Sequence, residues 1–381
     1  MDDKRTKERI GYSLKLGRLA AAFPSPEVYA ILLDSHWLAL EIHNEQLRAR
    51  LALALGSVSW LDGRIVDARE HLSECKKIAT DINDDLTDAF AHANFGQLLF
   101  YSADFERGIE YLERAIEAAE RLNSRGALHT AYNFLARQCS ITGQFERSLH
   151  LQTVILSAAM KNRDRLLEQI IRLWSSIRLS LQGEWQAAID LCDRVIEMGS
   201  VTATIYIEGY ARCGKAYAQF MMRGGCAEAL RDYESALGLL NGIGHRLALS
   251  LYEAGFAELC ALRGEGTRAI KHARIALACE TRGEHVGEVL AERALALAEA
   301  NADQRDWDRV EAHVNRSLKL ALQRGQRPDE AITRYRHGEI LRKMGNRPAA
   351  LRQLERAENL FVSMKMAWWV NIAQSTRQGM G

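Results

Sequence analysis

A short turn signature returns along this chain about every forty residues. Leu61-Asp62-Gly63-Arg64-Ile65, Ser102-Ala103-Asp104-Phe105, Thr142-Gly143-Gln144-Phe145 and Gln182-Gly183-Glu184-Trp185 each join a small residue to an aromatic or aliphatic one. The turn positions 63, 103, 143 and 183 are 40 residues apart, and the series runs on through Gly224, Gly264, Arg305 and Gly345 with steps of 41, 40, 41 and 40. Length alone, 381 residues, would suggest two or three globular domains. A fixed period of this size points instead to one stacked array in which each unit buries its apolar face against its neighbours.

Each period reads as two helices. Asp85 to Tyr101 is expected as helix A of the second unit, Ser102-Ala103-Asp104 as its turn, and Phe105 to Leu122 as helix B. Phe105, Ile109, Leu112, Ile116 and Ala119 then form one apolar stripe at helical spacing. Prolines stand only at 24, 26, 328 and 348, which leaves a long stretch free of helix breakers; Pro328 and Pro348 fall at expected helix starts. No strand pattern is found.

Small residues align in columns. Seven positions before the turn stand Gly56, Gly96, Ala136, Ser176, Ala257, Ala298 and Gly338, with Tyr217 as the exception. Five positions after it stand Ala68, Gly108, Ser148, Ala188, Ala229, Ala269 and Ala350, with Val310 as the exception; Ala115, Ala236, Ala276 and Ala357 make a partial third column. Small residues at fixed places on both helices let the two axes approach closely.

These columns are where the chain resembles the tetratricopeptide repeat (TPR) family. The unit here is about 40 residues rather than the family's usual 34, and most units lack the proline that often closes helix B. Such long units are similar to the sensor arrays of bacterial signal-transduction ATPases, transcription activators and nucleotide cyclases. The resemblance implies an all-α, right-handed superhelical solenoid. Residues 1–44 are expected as a degenerate capping hairpin turning at Pro24-Ser25-Pro26, with Ser25 as the helix cap. Residues 45–364 are expected as eight hairpins and 365–381 as a capping helix, whose Trp368 and Trp369 cover the last unit.

Charge and motifs exclude much. Lys plus Arg is 50 against 49 for Asp plus Glu, so no general pull toward nucleic acid or an anionic membrane is expected. The basic segment 324–356, with nine cations against four acids, lacks aromatic interleaving and a groove-reading motif, and reads as paired charges on a solvated face. No apolar run is long enough to span a bilayer, and no apolar region follows Met1-Asp2-Asp3-Lys4-Arg5, so neither a membrane helix nor a secretory leader is expected. The seven scattered cysteines, with no CxxC, suit a reducing cytoplasm. Gly209 to Ala216 reads GxxxxGKA, but Ala216 lacks the hydroxyl that a phosphate loop needs, and the segment lies inside an expected helix. The eleven histidines show no HExxH, and no metal-ligand set or nucleophile elbow is present. No enzyme activity and no cofactor is expected.

Binding remains. In the family, helix A lines the inner groove, so residues repeated at one helix A position form a column along it. Six positions before the turn, Glu258, Glu299 and Glu339 make an acidic column suited to a basic peptide, although glutamate is also simply a good helix former. Asn94, Gln97, Asn133 and Arg137 offer amides and a guanidinium to a peptide's backbone and carboxylates. Asn133 and Arg137 match two helix A positions of clamp-type members, although the usual clamp set of Lys and Asn is incomplete. The expectation is a non-catalytic scaffold or sensor for a protein or peptide segment. The alternatives are a peptide-sensing regulator with phosphatase-like action on a response regulator, or a separated sensor module of an ATPase or cyclase.

Overall fold

The computed structural model describes residues 3–19, 25–202 and 204–380. Its architecture follows from short turns between helices of nearly constant length. Helices α1 (Asp3–Leu19) and α2 (Pro26–Glu41) come first. Then follow α3 (Glu45–Leu61), α4 (Ile65–Asp81), α5 (Asp85–Tyr101), α6 (Phe105–Arg121), α7 (Arg125–Ile141), α8 (Phe145–Lys161), α9 (Arg165–Gln182) and α10 (Trp185–Thr202). The chain continues through α11 (Ile205–Met222), α12 (Ala227–Gly242), α13 (Leu249–Arg263), α14 (Gly266–Ala278), a 3-10 turn (Cys279–Arg282), α15 (Glu288–Ala300) and α16 (Trp307–Gln323). It ends with α17 (Arg327–Lys343), α18 (Arg347–Ser363) and α19 (Ala367–Gln378). No strand occurs among the described residues, and the fold is an all-α helical-repeat array. The expected pair 85–101 and 105–122 matches α5 and α6 to within one residue.

The period has a simple origin. From α3 through α8 the array alternates seventeen-residue helices with three-residue turns. The middle residue of each A-to-B turn is left-handed: φ is +72° at Gly63, +55° at Ala103, +80° at Gly143 and +82° at Gly183, and Gly224, Gly264 and Gly345 continue the series. Arg305 does not, because the turn after α15 is a longer, irregular loop. A second left-handed series closes helix B, at His43, Asn83, Asn123, Arg163, Gly244, Gly283, Gly325 and Lys365. Five of these eight carry side chains, although glycine is the residue that usually marks such a turn.

Axis-to-axis contact is set by the small columns. A Cβ added at Gly56 would stand 2.6 Å from Leu72, at Gly96 2.4 Å from Leu112, and at Gly338 2.7 Å from Leu354. A leucine nine residues past the turn thus fills the notch left by a glycine seven before it. Hairpin α11–α12 breaks the column with Tyr217 and makes its close approach about two helical turns away, where a Cβ added at Gly209 would stand 2.7 Å from Leu240.

The chain divides into two compact units, Met1–Gln138 with His245–Leu247 and Thr281–Glu284, and the remainder. In the first, α1 and α2 pack on α3 through Ile10, Leu32, Ala39, Leu51 and Leu55. Ser25 sits at the N-cap of α2, but its hydroxyl donates to the Glu27 carboxylate and caps no backbone N–H; Pro24 lies outside the described residues. Glu74 on α4 joins the first hairpins by accepting from Arg48 of α3 at 2.5 Å and pairing with His36 of α2 at 3.4 Å.

In the second unit α19 closes over α18. Trp369 is buried, stacked on Phe361 at 5.5 Å and edge-on to Tyr335. Half-buried Trp368 meets Trp185, the first residue of α10, edge-on at 5.1 Å, and a Cβ at Gly183 would lie 2.8 Å from the Cβ of Trp368. Lys365 reaches Glu146 of α8. The two tryptophans are therefore core of the closing helix, and the last turn of the array seats on the A-to-B turn between α9 and α10.

Gly96→Ala is expected to destabilise the chain by about 1–3 kcal/mol through overpacking. Gly238→Ala, where an added methyl meets nothing within 4 Å, should be neutral or stabilising by about 0.5–1 kcal/mol. Urea denaturation distinguishes them, and equal midpoints would remove the close-approach account. A second expectation concerns pH. The pairing with His36 and, against the cost of burial, the hydrogen bond from Arg48 hold the Glu74 carboxyl at about 2, below its ordinary 4.5. The stabilisation is thus complete above about pH 4.5 and fades as pH falls toward 2. Unfolding free energies of the native chain and Glu74→Gln should differ at pH 6 and converge on acidification; a constant difference would contradict the pairing.

Candidate functional site

Within each unit the A helices touch one another from hairpin to hairpin: α3 packs on α5, and α9, α11, α13, α15 and α17 pack in succession. Side chains at matched helix A positions therefore form a continuous wall.

In the first unit this wall carries amides among aromatic rings. Asn94 on α5 accepts from Trp60 Nε1 at 3.2 Å and from Ser57 Oγ at 3.0 Å, and its own Nδ2 donates to the Phe90 carbonyl at 2.9 Å. Trp60 stacks on Tyr101 and meets Phe134 of α7 edge-on, each at 6.1 Å. Arg137 lies over the Phe134 ring at 5.1 Å and donates to Asn133 Oδ1 in a long 3.4 Å contact. Gln97, one turn beyond Asn94, is wholly buried, and neither atom of its amide has a hydrogen-bond partner. Such an orphaned group costs about 1–3 kcal/mol. The four residues expected from sequence thus lie on adjacent A helices of one unit, with Trp60, Tyr101 and Phe134 as partners that sequence reading did not name.

The acidic column behaves differently. Glu258, Glu299 and Glu339 occupy matched positions on α13, α15 and α17, but they do not form an open acidic wall. Glu258 is buried, accepts from Arg293 Nε at 2.6 Å, and takes the Tyr217 hydroxyl at 2.8 Å. Arg293 continues to Asp329 at 3.0 Å and Thr333 at 3.2 Å, so one polar chain runs across α11, α13, α15 and α17. Burial alone would raise the Glu258 pKa; Arg293 reverses this and holds it below the ordinary range. The Tyr217 hydroxyl is pushed well up, by burial first and by Glu258 second. Glu299 pairs with Arg309 at 2.8 Å and Glu339 with Arg336 at 2.8 Å. A carboxylate removed from water requires a close countercharge; Arg293 and Arg309 supply it from neighbouring helices and Arg336 from the same helix as Glu339. The two pairs between helices share no common spacing by which sequence could find them.

Arg178 of α9 is another residue that sequence reading passed over. It is buried, donates to Gln152 Oε1 at 2.9 Å and Gln182 Oε1 at 2.6 Å, and is lowered in pKa by burial; both partners are neutral amides. The Gly209-to-Ala216 motif lies wholly inside α11, and Lys215 pairs with Asp193 at 2.6 Å. The basic segment 324–356 is largely drawn into contacts, with Arg324 on Glu288, Arg334 on Glu330 and Arg336 on Glu339. Glu280, His285 and Glu288 cluster closely enough to hold a metal ion, but His285 and Arg324 already sit on Glu288 at 2.6 and 2.5 Å. Burial raises the thiols of Cys75 and Cys260 to about 12 and of Cys192 to about 11, so these are held protonated, unlike nucleophilic cysteines.

Arg293→Ala strands Glu258 and is expected to cost about 3–5 kcal/mol; replacing both with matched apolar residues should cost much less. Thermal unfolding of the single and the double variant tests this, and equal losses would contradict the pairing.

No protein-family model matches the sequence, and no curated protein sequence matches it either. Solved structures do. A Rap protein complexed with Competence and Sporulation Factor superposes with a TM-score of 0.73 at 13% identity, over 96% of this chain and 99% of that one. The Rap conjugation gene regulator of plasmid pLS20, in complex with the Phr* peptide, gives 0.61 at 13% identity over 93% and 96%. Aspartyl phosphate phosphatase F from Bacillus subtilis gives 0.55 at 9% identity over 92% and 93%. No helix of the described chain is long and apolar enough to cross a membrane. The forty-residue hairpins, their small-residue columns and these end-to-end superpositions together identify the fold as a tetratricopeptide-like helical array.

Proposed function

We propose that this chain is a non-catalytic peptide receptor, a sensor or scaffold in a bacterial regulatory system, and that the A-helix wall of the first unit takes the peptide. The observation that carries the reading is the buried amide of Gln97, unpaired at both ends, beside Asn94, Asn133 and Arg137 on adjacent A helices. An extended peptide presents alternating N–H and C=O groups that such amides match, while Trp60, Tyr101 and Phe134 supply apolar contact. Likeness in fold to two structures solved with peptides supports the same reading. A peptide is the ligand, and no cofactor takes part.

The likeness to an aspartyl phosphate phosphatase supports a second reading, in which the peptide governs loss of phosphate from a response regulator. Dephosphorylation of a co-encoded response regulator, measured with and without the chain, separates the two. An unchanged rate favours the receptor alone.

The direct test passes the peptide fraction of the native host's culture over the immobilised full chain and sequences what is retained. A small defined set of peptides is expected. Gln97→Ala and Asn133→Ala should each weaken binding of their synthetic copies about fivefold, the equivalent of about 1 kcal/mol for one amide contact. No peptide retained above an empty column, or unchanged affinity in both variants, would refute the proposal.

A further inference from the structure

We infer that a cleft on the B-helix side of the first unit, between α4 and α6, is a second docking site that takes an acidic segment of a protein partner. The cleft measures about 480 Å³ and is rimmed by Arg69, Lys76 and Lys77 of α4 and Arg107 of α6, over a floor containing Phe95 and Tyr111. Its size lies in the range of ligand pockets. Arg69, Ser73, Lys76, Lys77 and Thr80 recur at helical spacing, so one face of α4 points into it.

Charge is what distinguishes this surface. Across the chain cations and acids are balanced, and most buried or half-buried arginines are tied to carboxylates. Here four cations meet one lining acid, Asp81. Arg69 donates to the Ser102 hydroxyl at 3.2 Å, Lys76 lies over the Tyr111 ring at 5.0 Å, and of the four only Arg107 has a recorded carboxylate contact, with exposed Asp104 at 3.3 Å. Favourable interaction with a helix C-terminus does not explain Lys76 and Lys77, which stand short of the last turn of α4. Nor does it explain Arg69 and Arg107, which lie in the N-terminal parts of their helices, where the macrodipole disfavours a cation. Convergence of the two pairs on one cleft is a property of the cleft.

The geometry selects the ligand. From Arg69 to Lys77 the cations extend ~12 Å along α4, at 1.5 Å per residue, too far for one phosphate to neutralise. Four cations are also fewer than the six to ten phosphate contacts typical of nucleic-acid binding. A segment with carboxylates spaced along it meets both conditions. The Ser73 and Thr80 hydroxyls donate to the carbonyls of Arg69 and Lys76 in their own helix, so recognition rests on charge. This site lies apart from the amide wall and stands whether or not that wall takes a peptide.

Fluorescence anisotropy of the full chain titrated with a fluorescein-labelled oligoglutamate peptide tests the inference. Saturable one-to-one binding is expected, weakening as sodium chloride is raised. Lys76→Glu with Lys77→Glu, and separately Arg69→Glu with Arg107→Glu, should each lower affinity at least about tenfold. The control, Lys161→Glu with Arg163→Glu, reverses two exposed cations elsewhere and should change it less than about twofold. Circular dichroism confirms that each variant is folded, and the two cleft pairs lie at different points, so loss of fold in one leaves the other decisive. Failure to bind, equal losses in the cleft and control variants, or displacement of the peptide by inorganic phosphate at matched ionic strength would each overturn it.

Discussion

Everything in this molecule depends on how closely two helix axes can lie within a hairpin. Glycines 56, 96 and 338 leave notches that Leu72, Leu112 and Leu354 fill, at distances where one added methyl would collide. Close axes allow short turns, and three-residue turns with a left-handed middle residue keep the forty-residue period. Repetition of that one contact places successive A helices against each other, and only then does a shared wall exist on which a binding site can be built.

The two units use that wall in opposite ways. In the second, Tyr217, Glu258, Arg293, Asp329 and Thr333 satisfy one another across four helices, and Trp185, Trp368 and Trp369 close the end. The polar groups there stabilise a fixed arrangement, since removing Arg293 or Glu258 strands a buried charge. In the first unit, Gln97 remains unmatched, and Arg137 donates to Asn133 of its own helix in a long 3.4 Å contact. Incomplete satisfaction of buried polar groups costs stability, and a site for an extended peptide is one place where such a cost has a use.

A helical hairpin also has an outer side. B helices contact the solvent along most of their length, and their polar face is free of the packing demands that shape helix A. The cleft of Arg69, Lys76, Lys77 and Arg107 arises there, between helices that belong to successive hairpins.

Much of the fold was legible from spacing alone: the period, the α5–α6 boundaries, the small columns and the glycine turns all follow from local chemistry that repeats. Most of the second turn series was hidden because His43, Asn83, Asn123, Arg163 and Lys365 adopt a left-handed backbone that their side chains do not advertise. Asn94, Gln97, Asn133 and Arg137 could be assigned to one face because their helix positions are fixed by the repeat. Whether a side chain on that face is available to a ligand is a different matter, since it depends on residues about thirty-five to forty positions away. Glu258 looked like a solvated acid until Arg293 and Tyr217 were seen to enclose it, whereas Gln97 was found without a partner. Sequence by itself determined the repeating hairpin, because sterics and helical periodicity act over a few residues. Only tertiary structure decided which polar groups are satisfied, because that depends on which neighbouring helix brings a countercharge within three ångströms or so.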